Sequence, residues 1–539
     1  MWYKTAIIYE LDVKVFLDST GNGTGDLQGV ISKLDYIDSM GFNCIWFLPF
    51  YPSPKKDNGY DVKDYYGIDP ELGDLGDFAQ LVDECDKRGI RIIIDLVVNH
   101  TSVEHPWFLD SQSSRKSKYR DFYIWQDNPD KDREEVMLEG VNETVWEYSR
   151  KTRSYYLHKY FKYQADLNMA NPEVIKEILR IMEFWLKLGV SGFRIDAAHV
   201  ITDPVDVDHI DYGNLHTLFE KMNDLIREKK PSAILLGEAS VPPEETREYF
   251  LSDEGNPRMH MLFNFLSNKH TFLAFARKKG QTLTDALGIY KDIEPAHWVN
   301  FVRHHDELNL ELLNDSERKE VWAAFAPDEK MRMFGHGIRR RLPPMLGNDE
   351  RRIKLFYTVI FGLPGIPLIN YGEEIAMGDD LDLEGRDSVR TPMQWTAEEN
   401  GGFSTAPRKK LYRPAIRDGE FSYKNVNVLD QQYHPRSFLN FICRLIRIRR
   451  QIPAIGRGVL HLVKPDDDRV AAWCFEYDNT VLMTVFNLSD EELRTRIDSG
   501  IDPGKIMPVF EDSIYEDDAG PENLHLKPYG YRWIQIKKK

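Results

Sequence analysis

Eight short apolar runs, each followed by turn residues and then a helical pattern, recur through the first 374 residues: IIYELDV at 7–13, CIWFLP at 44–49, RIIIDLVV at 91–98, GFRIDAA at 192–198, AILLGEA at 233–239, MLFNF at 261–265, WVNFVRHHD at 298–306 and GIPLINYGEE at 365–374. Apolar runs of this length without strict alternation read as strands buried on both faces, which requires helices on both sides of a parallel sheet. Between the first two runs, Leu27, Val30, Ile31, Leu34, Ile37 and Met40 repeat at helical spacing after Asp26, and Gly41 stands where a C-terminal cap belongs. This is a βα unit. Eight such units predict an α/β fold closed into a (β/α)8 barrel of the TIM type, in preference to an open doubly wound sheet.

The spacing of the runs also marks what is added to the barrel, which takes residues 1–100 and 166–450. The gap after the third run begins with a polar, Trp/Tyr-rich stretch, predicted as an inserted subdomain over 101–165. A second irregular stretch, about 375–435, follows the last run and is placed to cover the strand ends as a lid. From 451 to 539 the pattern changes to shorter alternating strands such as VAAWCFEY, TVLMTVFNL and YRWIQI, which predict a C-terminal β-sandwich.

Charge and composition restrict the partners. With 70 basic against 87 acidic residues the formal charge is −17, which argues against nucleic acid. No apolar run approaches the roughly 18 residues of a membrane span, and the start, MWYKTAIIYELDVKVF, lacks the features of an export signal. The four cysteines, Cys44, Cys85, Cys443 and Cys474, form no CxxC pair, so a reducing, cytoplasmic setting is expected. Homo-oligomerisation stays open.

In a closed barrel the reactive groups gather at the C-terminal strand ends, and acids stand there in several runs. Arg194 and Asp196 are two apart on one strand and share a face, so a guanidinium lies beside a carboxylate and keeps it ionised, as a nucleophile requires. Glu238 ends an apolar run with no adjacent base, where burial raises a carboxyl pKa and holds a proton at neutral pH. WVNFVRHHD ends in Asp306 beside His304 and His305, and RIIIDLVVNH carries Asp95, Asn99 and His100. One anionic and one protonated carboxyl beside a third anion are what glycoside cleavage through an oxocarbenium-like transition state requires, with about 5 to 5.5 Å between the first two for retention. Singly, each motif reads as readily as a buried ion pair or a core histidine. Their joint appearance at successive strand ends carries the argument.

On these residues the chain resembles the α-amylase superfamily of retaining α-glucoside-active enzymes, over nearly its full length. DLVVNH (95–100), GFRIDAA (192–198), GEA (237–239) and FVRHHD (301–306) match its four signature segments in order, and QADLN (164–168) is similar to a fifth. The resemblance implies Asp196 as nucleophile, Glu238 as general acid/base and Asp306 as transition-state stabiliser, with Arg194, His100 and His305 holding the glucosyl unit. Within the superfamily, WFLPFYPSPKKDNGYDVKDY (46–65), MRMFGHGIRRRLPPMLGNDERRIKL (331–355), VRTPMQW (389–395) and KPYGYRWIQI (527–536) resemble the trehalose synthases, the maltose α-D-glucosyltransferases. That likeness implies a pocket floor closed by Asp57 and Arg390, Tyr60 stacked on the sugar ring, and conversion of maltose, a small α-glucoside, to trehalose by double displacement. AAHVITDPV, SVPPEE and Asn264 depart from that group's pattern near the acceptor, which keeps an exo-acting α-glucosidase or another disaccharide transglucosylase as alternatives. A non-catalytic relative of the ectodomain type is disfavoured, because all three acids are present.

The stretch DSTGNGTGD, 18–26, offers oxygens at alternate positions. Read as an EF-hand it has Gly29 where the bidentate Glu belongs, and it is neither GxGxxG nor a Walker loop. The resemblance implies a structural Ca²⁺ or Mg²⁺ held by Asp18, Thr20, Asn22 and Asp26 with the Thr24 carbonyl; the alternative is a turn in which Asp26 caps the next helix. It also implies a second cation at Asn99, Asp166 and Asp203, with carbonyls near Val200 and Ile201. No organic cofactor is expected.

Overall fold

The computed structural model describes the chain except residues 131–135, 139–140, 208, 292, 294–296, 501–502, 517–519 and 539, seven of which fall within the expected 101–165 insertion. All eight predicted runs form strands: β1 (Ile8–Leu11), β2 (Cys44–Phe47), β3 (Arg91–Leu96), β4 (Gly192–Ile195), β5 (Ile234–Gly237), β6 (Met261–Phe263), β7 (Trp298–Phe301) and β8 (Ile366–Asn370). They close into one barrel in which every strand pairs in parallel with its sequence neighbours and β8 pairs with β1 through Ile8↔Leu368. The interior is filled by Ile8, Trp46, Ile93, Leu236, Phe263, Phe301 and Leu368, a packed core with no room for a pore.

The outer helices follow from local chemistry. Pro172–Lys187, which follows β3 and the insertion, has Pro172 at its first turn, where no amide partner is lost, and Asn171 as its cap, accepting from the Glu173 amide. Val174, Ile178, Ile181, Met182 and Trp185 then fall on one face and bury it against the barrel, a repeat of three or four residues. The pattern after β1 differs from the single predicted helix: Leu27–Ser32 and Leu34–Met40 are separated at Lys33, which has φ −109° and ψ 5°. Lys33 sits at a polar position of the repeat, so the break leaves the apolar pattern untouched.

Two of the expected additions are built from sheets outside the barrel. Within the insertion, His100–Ser102 pairs with Gln164–Asp166 and Trp125–Gln126 joins the hairpin of Trp146–Ser149 and Ser154–Leu157. At the C-terminus a five-stranded antiparallel sheet buries Trp473, Phe486 and Trp533 on its barrel side, where Trp473 Nε1 donates to the Gly362 carbonyl at 2.7 Å. Its other face, with Cys474, Met483, Val485 and Ile534, is covered by two short two-stranded ribbons that contribute Leu493, Ile497, Leu524 and Leu526. The second layer of the sandwich is therefore much smaller than the first. No helix among the described residues is long and apolar enough to cross a membrane, and the four cysteines are free.

Candidate active site

Arg194, near the end of β4, joins three strand ends through one guanidinium. Its Nη1 lies 2.6 Å from Asp95 Oδ1 on β3 and 2.6 Å from Asp196 Oδ1, and its Nη2 lies 2.7 Å from Glu238 Oε2, one residue past β5. Strand alternation aims Arg194 and Asp196 the same way, as the spacing predicted. The turn that follows Asp196 places Ala197 at φ 49°, an unfavourable region for a residue with a Cβ, and there its amide donates to Glu238 Oε2 at 2.9 Å. Asp196 and Glu238 are thereby tied to each other twice, through the guanidinium and through the backbone.

Asp306, past the end of β7, stands among cations. Arg390 Nη2 approaches its Oδ1 at 2.7 Å, Arg386 Nη1 the same oxygen at 3.0 Å, and His305 Nε2 its Oδ2 at 3.1 Å. Burial alone would raise this carboxyl, but Arg386, His305 and Arg390 together hold it well below the ordinary carboxylate range. His305 is in turn gripped by Glu10 of β1, 2.6 Å from its Nδ1, and burial's tendency to lower the imidazole is overcome by Asp306 and Glu10, which bring it up to about 9. Tyr60 stacks on the His305 ring at 5.3 Å and 8°, and its hydroxyl reaches His305 Nε2 at 2.7 Å and Asp95 Oδ2 at 3.1 Å. His100 lies beneath the Tyr60 carbonyl at 3.2 Å, and burial lowers its pKa to about 4, so it stays neutral.

The proton distribution departs from expectation. Burial, with Glu238, Asp95 and Asp306 adding to it against Arg194, pushes the Asp196 carboxyl well above its ordinary value. Glu238 goes the other way: burial is outweighed by Arg194 and the Ala197 amide, and its pKa is lowered. The sequence placed the guanidinium beside Asp196 but could not show that the fork also reaches Glu238. Of the two carboxyls Glu238 is thus the better-supported anion.

A cavity of about 810 Å³ opens onto this cluster, with Glu238, Asp306, Tyr160, His199, Phe265 and Arg386 on its wall. Such a volume suits a disaccharide-sized ligand. An Arg/Asp/Glu cluster at the C-terminal ends of barrel strands, open to a polar cavity, is equipped for acid/base and nucleophilic work on a sugar acetal. The alpha amylase catalytic-domain model matches residues 13–458.

The chain belongs to the alpha-amylase family. It is 38% identical over 494 residues to the trehalose synthase/amylase TreS of Mycobacterium tuberculosis, covering 90% of this chain and 82% of that protein. It is 36% identical over 549 residues to the trehalose synthase of a Pimelobacter species, covering 99% and 96% of the two. Among solved structures, the Bacillus licheniformis trehalose-6-phosphate hydrolase matches over the full length of both chains with a TM-score of 0.80 and 28% identity.

In this alpha-amylase family member Arg194, Asp196, Glu238, His305, Asp306, Tyr60 and Arg390 share one network. Arg390 is seated on Asp306 and donates from Nε to the His305 carbonyl at 2.8 Å, while Asp57 accepts from Gln164 Nε2 at 2.8 Å. One face of the Tyr60 ring lies on His305. Sequence reasoning missed Arg386 and Glu10. Each left a signal: RDSVR carries a second arginine four residues before Arg390, and Glu10 is an acid inside an otherwise apolar run.

The residues of the two expected cation sites fall in separate places. In the 18–26 loop each of the four carboxylate oxygens already has a protein donor: Asp18 Oδ1 accepts from the Thr20 and Gly21 amides, Asp18 Oδ2 from the Gly23 amide and Ser404 Oγ, Asp26 Oδ1 from Ser19 Oγ and the Gly29 amide, and Asp26 Oδ2 from the Ser19 amide. Asn22 Oδ1 turns to the Thr24 amide at 2.7 Å. The loop closes on hydrogen bonds, with Asp26 as helix cap, and supplies only two carboxylates where a hard cation wants more charge. At the second site Asn99 Nδ2 and Asp166 Oδ1 are 3.5 Å apart, but the Asp203 side chain is 92% exposed and turned away from them. Val200 and Ile201 lie alongside. Elsewhere Glu10, His304 and His305 offer three donor atoms within 4.8 Å of one another, a spacing that can hold a metal ion.

Proposed function

We propose that the chain transfers α-glucosyl units with retention of configuration and that its main reaction is the isomerisation of maltose to trehalose. The observation that carries this reading is the Arg194 fork, which hangs Asp196 and Glu238 on adjacent nitrogens beside an Asp306 kept anionic by three cations. A shared fork holds two carboxyls close, which favours the roughly 5 to 5.5 Å spacing of a retaining pair over the 6.5 to 9.5 Å of an inverting one.

Asp196 attacks the anomeric carbon while Glu238 protonates the glycosidic oxygen, and the C–O bond breaks to leave a glucosyl ester and free glucose. For this a proton must reside on Glu238 once sugar fills the site, which requires Arg194 to favour Asp196 at that moment. Asp306 binds sugar hydroxyls as charge develops on the ring, with Arg194, His100 and His305 orienting the same unit. Asp57, Tyr60 and Arg390 bound the chamber. The retained glucose then attacks through its own anomeric hydroxyl, Glu238 takes that proton, and the bond to Asp196 breaks to release trehalose.

The relatives support the choice of reaction: those printed as trehalose synthases reach 36–39% identity, whereas the oligo-1,6-glucosidases stay at 28–32%. Incubation with maltose and carbohydrate chromatography test it. Trehalose should appear as the major product; glucose alone would reject the isomerase and leave an exo-acting α-glucosidase. The free cysteines favour a reducing, cytoplasmic setting for the enzyme.

A further inference from the structure

Arg413, in the lid-like insertion that follows β8, brings one nitrogen to two turns that are far apart in sequence. Its Nη2 donates to Asn58 Oδ1 at 3.0 Å and lies 2.7 Å from Asp387 Oδ1. Asn58 is inside the turn that carries Asp57 and Tyr60, closed by the Tyr60 amide on the Asp57 carbonyl at 2.8 Å. Asp387 is inside the short 3-10 helix Gly385–Val389, next to Arg386, and its carbonyl accepts from the Arg390 amide at 3.1 Å. Both turns thus bear residues that face the carboxyl cluster: Tyr60 is stacked on His305, and Arg386 and Arg390 are two of the three cations on Asp306.

We propose that Arg413 is a positioning residue for glucosyl transfer: it joins the Asp57–Tyr60 turn to the Arg386–Arg390 turn, so that Tyr60 meets His305 while both arginines meet Asp306. The inference rests on the α-glucosyl reading of the site. Asn58 has φ 50°, a left-handed conformation that a Cβ disfavours, and its side chain is held at both ends: Nδ2 donates to Asp12 Oδ2 at 2.9 Å, and Oδ1 accepts from Arg413 and from the Tyr412 hydroxyl at 3.3 Å. Asp12 is itself paired with Lys14 at 3.0 Å. The Arg413 side chain is buried, yet its Nε and Nη1 have no hydrogen-bond partner among the described residues, and Nη1 comes no nearer than 3.9 Å to Asp12 Oδ2. Burying a cation with two unpaired N–H groups costs stability, so this seat is better explained by the two turns that Nη2 holds than by the strength of its bonds. Asp306 acts as charge develops on the sugar ring, so misplacing its arginines weakens the transition state more than the bound ground state.

The test follows fluoride release from α-glucosyl fluoride, which reports the glucosyl ester forming and turning over whatever sugar accepts it. Arg413→Met keeps the length of the side chain and removes the joint; kcat should fall about tenfold while KM changes less than about twofold, as misplaced groups that act in the transition state require. Asp387→Asn weakens the same joint from its half-exposed side and should lower kcat about threefold. In the double variant Asp387→Asn should cost almost nothing beyond Arg413→Met, because the link is already broken. Arg413→Met with wild-type kcat would overturn the proposal, as would a loss confined to Tm or to KM. So would losses that simply multiply in the double variant, which would make the two residues independent. Should Arg413→Met fail to fold, Asp387→Asn decides alone, and wild-type kcat in that variant rejects the joint. Trehalose formation is read separately on maltose: a chain that shows these dependences but makes no trehalose fails the isomerase reading and keeps this one.

Discussion

Arg386 and Asp306 meet at 3.0 Å on the wall of the 810 Å³ cavity, and the same guanidinium reaches Glu307 at 2.7 Å through its Nε. Glu238 and Asp306 are on the same wall, so Arg386 stands at the junction between the cavity and the carboxyl cluster. Arg386→Ala should open that junction. The glucose freed from maltose would then escape before reorienting, and the ratio of glucose to trehalose should rise about tenfold, with kcat lowered because Asp306 loses one of its three cations. Product chromatography decides it: an unchanged ratio would mean that the arginine does not retain the leaving sugar.

Double displacement needs one proton on the Asp196–Glu238 pair, which makes the pH–rate profile a property of the two together. Losing that proton at high pH removes the general acid, and gaining a second at low pH removes the nucleophile, so kcat/KM should be bell-shaped. Asp196→Asn should reduce turnover by at least about 10⁴-fold. Glu238→Gln should lose most activity on maltose but retain the first step on α-glucosyl fluoride, whose leaving group needs no proton. Fluoride release from Glu238→Gln at the maltose-level rate would contradict the assignment of Glu238 as proton donor.

His305 gives the fold its own pH dependence. Its pKa is raised from the ordinary 6.5 to about 9 in the folded chain, so the stabilisation is fully present below pH 6.5 and disappears as pH rises through 9. The linked free energy is about 3 kcal/mol at most, shared with Glu10 and Asp306. Tm measured from pH 6 to 10 should fall across that window, and His305→Gln should flatten the fall. On the acid side, burial holds His304 at about 3 and His100 at about 4, so stability that both contribute above pH 6.5 should drain away between 6.5 and 3.

All eight strands and their parallel order were legible because a strand buried on both faces must be written as a continuous apolar run, and Asp196, Glu238 and Asp306 were legible because acids interrupt such runs at their C-terminal ends. What stayed hidden depends on reach across the chain. Nothing local shows that Arg194 bonds Glu238, 44 residues on, or that Lys159 bonds the Asp203 carbonyl. The same holds for the break at Lys33 and for the small second layer of the C-terminal sandwich, since neither disturbs the spacing of apolar residues. Oxygen-bearing side chains at alternate positions likewise look the same in sequence whether their partners are amides or a cation.

The 18–26 loop makes that last point measurable. Its glycines serve a close approach to the lid-like insertion: Gly23 has φ +104°, and a Cβ there would stand 2.1 Å from the Lys410 carbonyl oxygen. The insertion is in turn held to the loop by the Asp18 amide on the Phe403 carbonyl at 2.9 Å, the Tyr412 amide on the Gly23 carbonyl at 2.8 Å, and Ser404 Oγ on Asp18 Oδ2 at 2.6 Å. Asp18 is therefore an anionic hub of amide and hydroxyl donors, which lower its pKa against the effect of burial. Asp18→Asn removes the charge and makes one end of the side chain a donor facing donors, so it should cost about 1–3 kcal/mol. Gly23→Ala should cost at least as much through strain and collision with the backbone of the insertion. Chelation should leave Tm unchanged. A loop that instead melts in EDTA, and that Asp18→Asn destabilises no further once chelated, would show that a cation shares those oxygens.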